Sequence, residues 1–245
     1  MNSSSSTRSN APRHRGPHPG FVAVVFVVLF LAGLYPVTMF GGSPYFPGPW
    51  ETPDVIATFF RLRPESLVLC AFFHFGASVT LGIFAATIVS QLSFLGVRVA
   101  GTNIAFFGGL MTAFNMAASA FVLWTGARPG IAEDPMLVNA LYYLSYVLGG
   151  PGFSAPFGLL MAGVSIPAGI FRLVPTWIAI LGLVLAVLGE LSSLNLVFSW
   201  ALPLIPLTRF PGFIWIILIG FGLPRSRKPL EDLEPAKRHQ TGMRE

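Results

Sequence analysis

The sequence predicts an all-α fold: a polytopic transmembrane helix bundle of six spans plus two interfacial amphipathic helices. Three observations carry that prediction. Only 25 of 245 residues are charged, 10% of the chain, against about 25% in soluble domains. Hydrophobic residues make up 53%. The charges are also unevenly placed: residues 1–20 hold three, residues 224–245 hold ten, and the 203 residues between them hold the other twelve. This distribution excludes an ordinary soluble enzyme and a nucleic-acid module with a basic face. It divides the chain into a disordered cytoplasmic tail (1–20), a six-span membrane domain (21–222) and a charged cytoplasmic tail (223–245).

A spanning helix needs roughly 20 apolar residues. The first candidate, Phe21–Phe40, follows a polar, basic stretch containing Arg8, Arg13 and Arg15. It is longer than a signal-peptide apolar region and no A-x-A-like cleavage site follows it, so it reads as an uncleaved span. The others are Leu67–Leu92, Thr102–Thr125, Gly152–Phe171, Pro175–Leu194 and Trp200–Phe221. The sixth carries Pro203, Pro206 and Pro211, so it is expected to start as a broken stretch and become regular after Pro211.

Two further helices are too short to span. Thr52–Arg63 has an N-cap threonine, Pro53 in the first position and Asp54 at the positive end of the dipole, with Pro64 ending it. Val55, Ile56, Phe59 and Phe60 form its apolar face. Pro135–Leu148 is capped by Asp134. Its stripe is Met136, Leu137, Ala140, Leu141, Leu144, Val147 and Leu148, with Asn139, Tyr142, Ser145 and Tyr146 facing away. Both read as helices lying at the membrane interface. Gly149-Gly150-Pro151-Gly152 then turns the chain into the fourth span.

With the N-terminus in the cytoplasm, six spans leave eleven basic residues inside and only Arg61, Arg63 and Arg128 outside; Arg209 is intramembrane. That bias satisfies the positive-inside rule and puts both termini in the cytoplasm of an inner membrane. Trp50, Trp124 and Trp200 fall at the outer interface and Trp177 at the inner one. Small residues at four-residue spacing (Ser78/Gly82/Ala86, Gly158/Ala162, Gly182/Ala186) mark faces where helices approach closely, within the bundle or toward a second copy or membrane partner.

Four intramembrane polar residues are the candidate ligand-binding set: His74, Asn115, Glu190 and Arg209. Glu190 and Arg209 each cost up to about 3 kcal/mol at a helix centre, and such residues are functional candidates by default. Both fall in the outer half on consecutive helices. They read as an ion pair locking the last two spans, as a ligand or proton site, or, for Arg209, as a side chain snorkelling to the outer headgroups. Cys70 lies one turn from His74, but no second His or Cys occurs in the spans, so His74 reads as a hydrogen-bonded packing residue and no metal or cofactor is expected. Asn115 reads as interhelical glue. The four are expected to border a cavity that opens outward, lidded by the two interfacial helices, with 149–152 as a hinge.

Signatures of zinc hydrolases, P-loop proteins, serine hydrolases and dinucleotide enzymes are missing, and with one cysteine no intramolecular disulfide can form. The stretches Leu141-Tyr142-Tyr143-Leu144-Ser145-Tyr146, Gly149-Gly150-Pro151-Gly152 and Arg172-Leu173-Val174-Pro175-Thr176-Trp177, with the ending Pro206-Leu207-Thr208-Arg209-Phe210-Pro211-Gly212-Phe213-Ile214-Trp215, resemble uncharacterised small bacterial membrane proteins grouped as a domain of unknown function. The resemblance implies a six-helix bacterial membrane protein and brings no activity with it. The expected role is non-enzymatic: an accessory or sensor-like protein, or a binder of small apolar molecules or lipids. The alternatives are a small-solute or proton-coupled transporter using Glu190, and an intramembrane lipid-modifying enzyme. Membrane lipids are the expected partners and nucleic acid is not.

Overall fold

The structure is a computed structural model that describes residues 12–226. The expectations for residues 1–11 and 227–245, the serine-rich start and most of the charged tail, lie outside the described residues. Among the described residues the fold is helical: α1 (Pro19–Leu34), α2 (Pro53–Leu62), α3 (Pro64–Phe94), α4 (Ala100–Gly126), α5 (Pro135–Gly149), α6 (Pro151–Ile170), α7 (Thr176–Leu191) and α8 (Leu204–Gly222), with short 3-10 turns after α1 and between α7 and α8. Six stretches are long and apolar enough to cross a membrane. The chain is a multi-pass membrane protein.

The spans form a closed ring. α1 packs on α3, α3 on α4, α4 on α6, α6 on α7, α7 on α8, and α8 returns to α1. Short connections make sequence neighbours antiparallel spatial neighbours. Helix α6 also touches α8. The apolar window of the span containing α6 is 67% buried, against 33–44% in the other five, which makes it the central helix. Its composition explains the position. A Cβ on Gly163 would sit 2.5 Å from both the Ala105 nitrogen and the Gly101 oxygen, so α4 and α6 touch backbone to backbone there. Without a hydrophobic drive between helices in lipid, such close approach is what holds them together. The expected small-residue face at Gly158 likewise packs against the Ala186 carbonyl and Gly189.

Helix α5 departs from its expected placement in two ways. First, it continues the path of α6 along α4. Gly163 faces Gly101 and Ala105, the Leu160 backbone faces Gly108, Gly152 meets Asn115, Gly149 meets Ser119, and Leu141 meets Gly126. Each advance along α4 is matched to within about a residue by a retreat along α6 and then α5, so Pro135–Ile170 is one long path broken at Gly150 (φ −89°, ψ −103°). Second, its faces are reversed. Val138, Tyr142 and Ser145 are buried, whereas Met136 is 84% exposed and Leu137, Leu144 and Val147 also face outward. A helix in water hides its apolar stripe; a helix beside lipid shows it and turns its hydroxyls inward, where they find partners. Tyr142 donates to the Pro47 carbonyl at 2.8 Å, and Asn139 reaches the Pro53 carbonyl at 3.3 Å.

Helix α2 buries Ile56, Ala57, Phe59 and Phe60; Val55, expected on that face, points outward at 46% exposure. At the other end of the bundle the two chain ends meet. The His14 N–H donates to the Arg225 carbonyl at 2.9 Å, and the Arg225 guanidinium donates to the Gly16 carbonyl at 3.0 Å. Gln91 Nε2 holds the Leu223 and Pro224 carbonyls at 3.1 and 2.9 Å. The described part of the segment expected as a tail, residues 12–18, thus lies against the residues that follow α8 and against α8 itself, where His18 lies 5.0 Å from the Phe221 ring.

Candidate functional site

Prolines create the local problem that shapes the site. Pro151 and Pro156 have no N–H, so the carbonyls four residues earlier, Val147 and Gly152, lose their helical donors. In lipid an unpaired carbonyl is expensive. Asn115 on α4 repairs one of them: its Nδ2 donates to the Gly152 carbonyl at 2.5 Å. The break at Gly150 also strands the C-terminal carbonyls of α5, the negative end of its dipole. Arg209 on α8 caps that end by donating to the Gly149 carbonyl.

This placement settles the expected Glu190–Arg209 pair against contact. Arg209 points inward to the α5–α6 junction, whereas Glu190 is exposed on the outer face of α7. Sequence adjacency made the helices neighbours but did not fix their rotation. The buried face of α7 runs through Gly182, Leu185, Ala186 and Gly189, and Glu190 is turned off it.

Beside Arg209 lies a cavity of about 330 Å³, at the small end of the range for small-molecule sites. It sits at the end of the bundle opposite the chain termini. Its walls come from the end of the first span (Phe30, Leu34, Val37), the start of α3 (Cys70, His74), the end of α4 (Met116, Ser119, Leu123), the α5–α6 junction (Tyr146, Gly149, Phe153) and α8 (Ile205, Arg209). Most of this surface is apolar, and among the described residues no Asp or Glu is part of it. Five rings from three helices close the bundle on the side toward the termini: Phe26 and Phe30 of α1, Phe153 and Phe157 of α6, and Phe213 of α8, with Phe30 and Phe213 centred 4.7 Å apart.

The guanidinium of Arg209 stands 4.7 Å from the Phe153 ring centre and 5.6 Å from that of Phe30. Two π faces offset part of its desolvation. Its Nε is buried without a hydrogen-bond partner. An arginine has five donors in a planar fork suited to carboxylate or phosphate; here one bond is to a carbonyl and none is to an acid. His74 is wedged between Phe30, stacked at 4.7 Å, and Gly33 of α1. Its Nδ1 lies 3.5 Å from Cys70 Sγ. Its Nε2 is buried and has no hydrogen-bond partner among the described residues, and the residue also borders the cavity.

Of the four candidate residues, His74 and Arg209 line this space, Asn115 supports its wall from behind through Gly152, and Glu190 lies outside it. The expected lids are present in part. Ser145, Tyr146 and the Gly149–Gly150 hinge of α5 line the cavity, whereas α2 contributes no lining residue. Sequence reasoning missed Tyr146, whose hydroxyl donates to Asn195 Oδ1, and the aromatic floor. The available signal was the proline spacing, since each missing N–H inside a span calls for an intramembrane donor.

Fold and site together define a class: a multi-pass helical membrane protein with an apolar cavity near one end that holds an unneutralised cation. No family model, no curated protein and no solved structure matches the chain.

Proposed function

We propose that this protein binds a small amphiphilic anion, its acid group at Arg209 and its apolar part against the phenylalanines, and that it does so as a non-enzymatic membrane protein. One observation carries the reading: a guanidinium borders an apolar cavity whose lining, among the described residues, contains no carboxylate. Burying an unpaired charge is costly, and a ligand that brings the counter-charge recovers that energy. The exposed position of Glu190 lends no support to transport through that residue. The excess of basic residues on one side favours cytoplasmic termini, and the resemblance to small bacterial membrane proteins favours a bacterial inner membrane as the setting.

The test compares octanoate with octanol, equal in chain length and different in charge, on protein in nanodiscs. Octanoate is expected to raise the melting temperature and to bind at least tenfold more tightly than octanol, a difference of about 1.4 kcal/mol. Arg209→Gln keeps a donor for the Gly149 carbonyl and removes the charge, so it should abolish the preference without unfolding the bundle. Equal binding of the two ligands, or an unchanged preference in Arg209→Gln, would refute the reading.

A further inference from the structure

A second concavity, of about 600 Å³, lies at the same end of the molecule, between the segment before α2 and the 3-10 turns before α8. Trp50 and Trp200 flank it and are 72% and 66% exposed. Asn195, Ser199 and Pro203 complete its wall. One residue, Tyr146, lines both this groove and the inner cavity. Its hydroxyl is held by Asn195 Oδ1 across the gap between α5 and the turn that follows α7. Tyr146 sits one turn before the break at Gly150, where α5 and α6 join without continuous helical hydrogen bonding.

We propose that the Trp50–Trp200 groove is the outer subsite of the ligand site, and that the Tyr146–Asn195 contact is the door between the two. This rests on the proposed binding of an amphiphilic anion and deepens it. The ligand reaches the cavity from the end of the bundle, passing two indoles and polar groups that suit an amphiphile; once its acid group is at Arg209 and the adjoining apolar part lies against the phenylalanines, the far end of a longer chain extends back into the groove. Breaking a neutral hydrogen bond and swinging one ring is a small cost, so the door opens without rearranging the ring of spans.

Cys70 is the only cysteine in the chain and borders the inner cavity. Its modification by methyl methanethiosulfonate, followed by mass spectrometry on the full chain in nanodiscs, reports access with no ligand involved. Tyr146→Phe and Asn195→Ala each remove the bond, and each is expected to speed labelling roughly fivefold. Thr38→Trp, on the far rim of the cavity, is expected to leave the rate unchanged. Melting temperatures within a few degrees of the parent chain establish that the variants fold. Unchanged rates in both door variants overturn the proposal, and so does a Thr38→Trp variant that blocks labelling, because entry would then run along α1. If octanoate fails to bind while the door variants still accelerate labelling, the ligand assignment falls and the connection between groove and cavity stands.

Discussion

The two halves of this membrane domain differ in what interrupts their packing, although α6 and α7 touch backbone to backbone in the cavity half too, at Gly158 and Gly189. Toward the chain termini, helices touch backbone to backbone. Gly163 meets Gly101 and Ala105, the Gly220 backbone lies against Gly20, and the ends are tied by His14, Gln91 and Arg225. Toward the other end, prolines and Gly150 interrupt the helices, side chains stand in for missing backbone donors, and a cavity opens around Arg209. The difference shows how a single bundle supports both rigidity and a binding space. Small residues let lipid-embedded helices close up, whereas broken helices demand polar repair and leave room where the repair takes place.

The comparison can be broken most forcefully in the closed half. Gly163→Val places side-chain atoms against α4 backbone that cannot move aside, and is expected to cost about 3 kcal/mol. Chemical or thermal unfolding in detergent measures it, and a loss below 1 kcal/mol would mean that the α4–α6 crossing is loose.

In the open half the repair itself can be tested. Asn115→Leu leaves the Gly152 carbonyl unpaired and should cost about 1 kcal/mol. Pro156→Ala restores the backbone N–H that reaches this carbonyl, so in the Asn115→Leu background it should return most of the loss. A double variant no more stable than Asn115→Leu alone would show that Asn115 does not substitute for the missing N–H.

A smaller effect is expected at the tied end. His18 caps α1, its Nδ1 accepting from the Gly20 N–H at 3.1 Å. Burial, and then the nearby Arg225 guanidinium, hold its imidazole below the ordinary histidine range. The folded state therefore favours the neutral ring. The stabilisation is complete above the unfolded value of about 6.5 and is lost as pH falls from there through the depressed folded value. Melting temperature should drop on going from pH 7.5 to 5.5, and His18→Asn, a cap that does not titrate, should reduce the drop. An identical pH profile in the variant would remove His18 from the account.

The smallest effect is expected at Glu190. Exposed and unpaired with Arg209, it should tolerate Glu190→Gln within about 0.5 kcal/mol and with unchanged octanoate binding. A clear loss in either measurement would bring Glu190 back into the functional site.

Much of the fold could be read from the chain because lipid imposes few options. Every spanning segment must satisfy its own backbone, so apolar length located five of the six spans to within a few residues, and Asp134 with Pro135 marked the start of α5; the fourth span was found only as α6, without the α5 stretch that lengthens it to Pro135–Ile170. Part of the site was legible for the same reason: His74 and Arg209 stood out as expensive residues in apolar stretches, and both line the cavity. Rotation was not legible. Apolar residues cover these helices on nearly all sides, so periodicity could not say that Glu190 faces outward, that Arg209 turns to Gly149, or that α5 shows Leu137 and Leu144 to the outside and Tyr142 and Ser145 to the interior.

The sequence by itself determined the membrane class, the number of spans and the identity of the costly intramembrane residues, because each follows from local hydrophobicity and charge. Only the tertiary structure decided which carbonyl each polar side chain serves, that Phe30 and Phe153 of a five-ring cluster from three helices line the cavity, and that Tyr146 lines both the cavity and the second groove. Those facts depend on how helices distant in sequence are turned toward one another, and in a bilayer close packing and the need to satisfy every buried donor and acceptor fix that orientation.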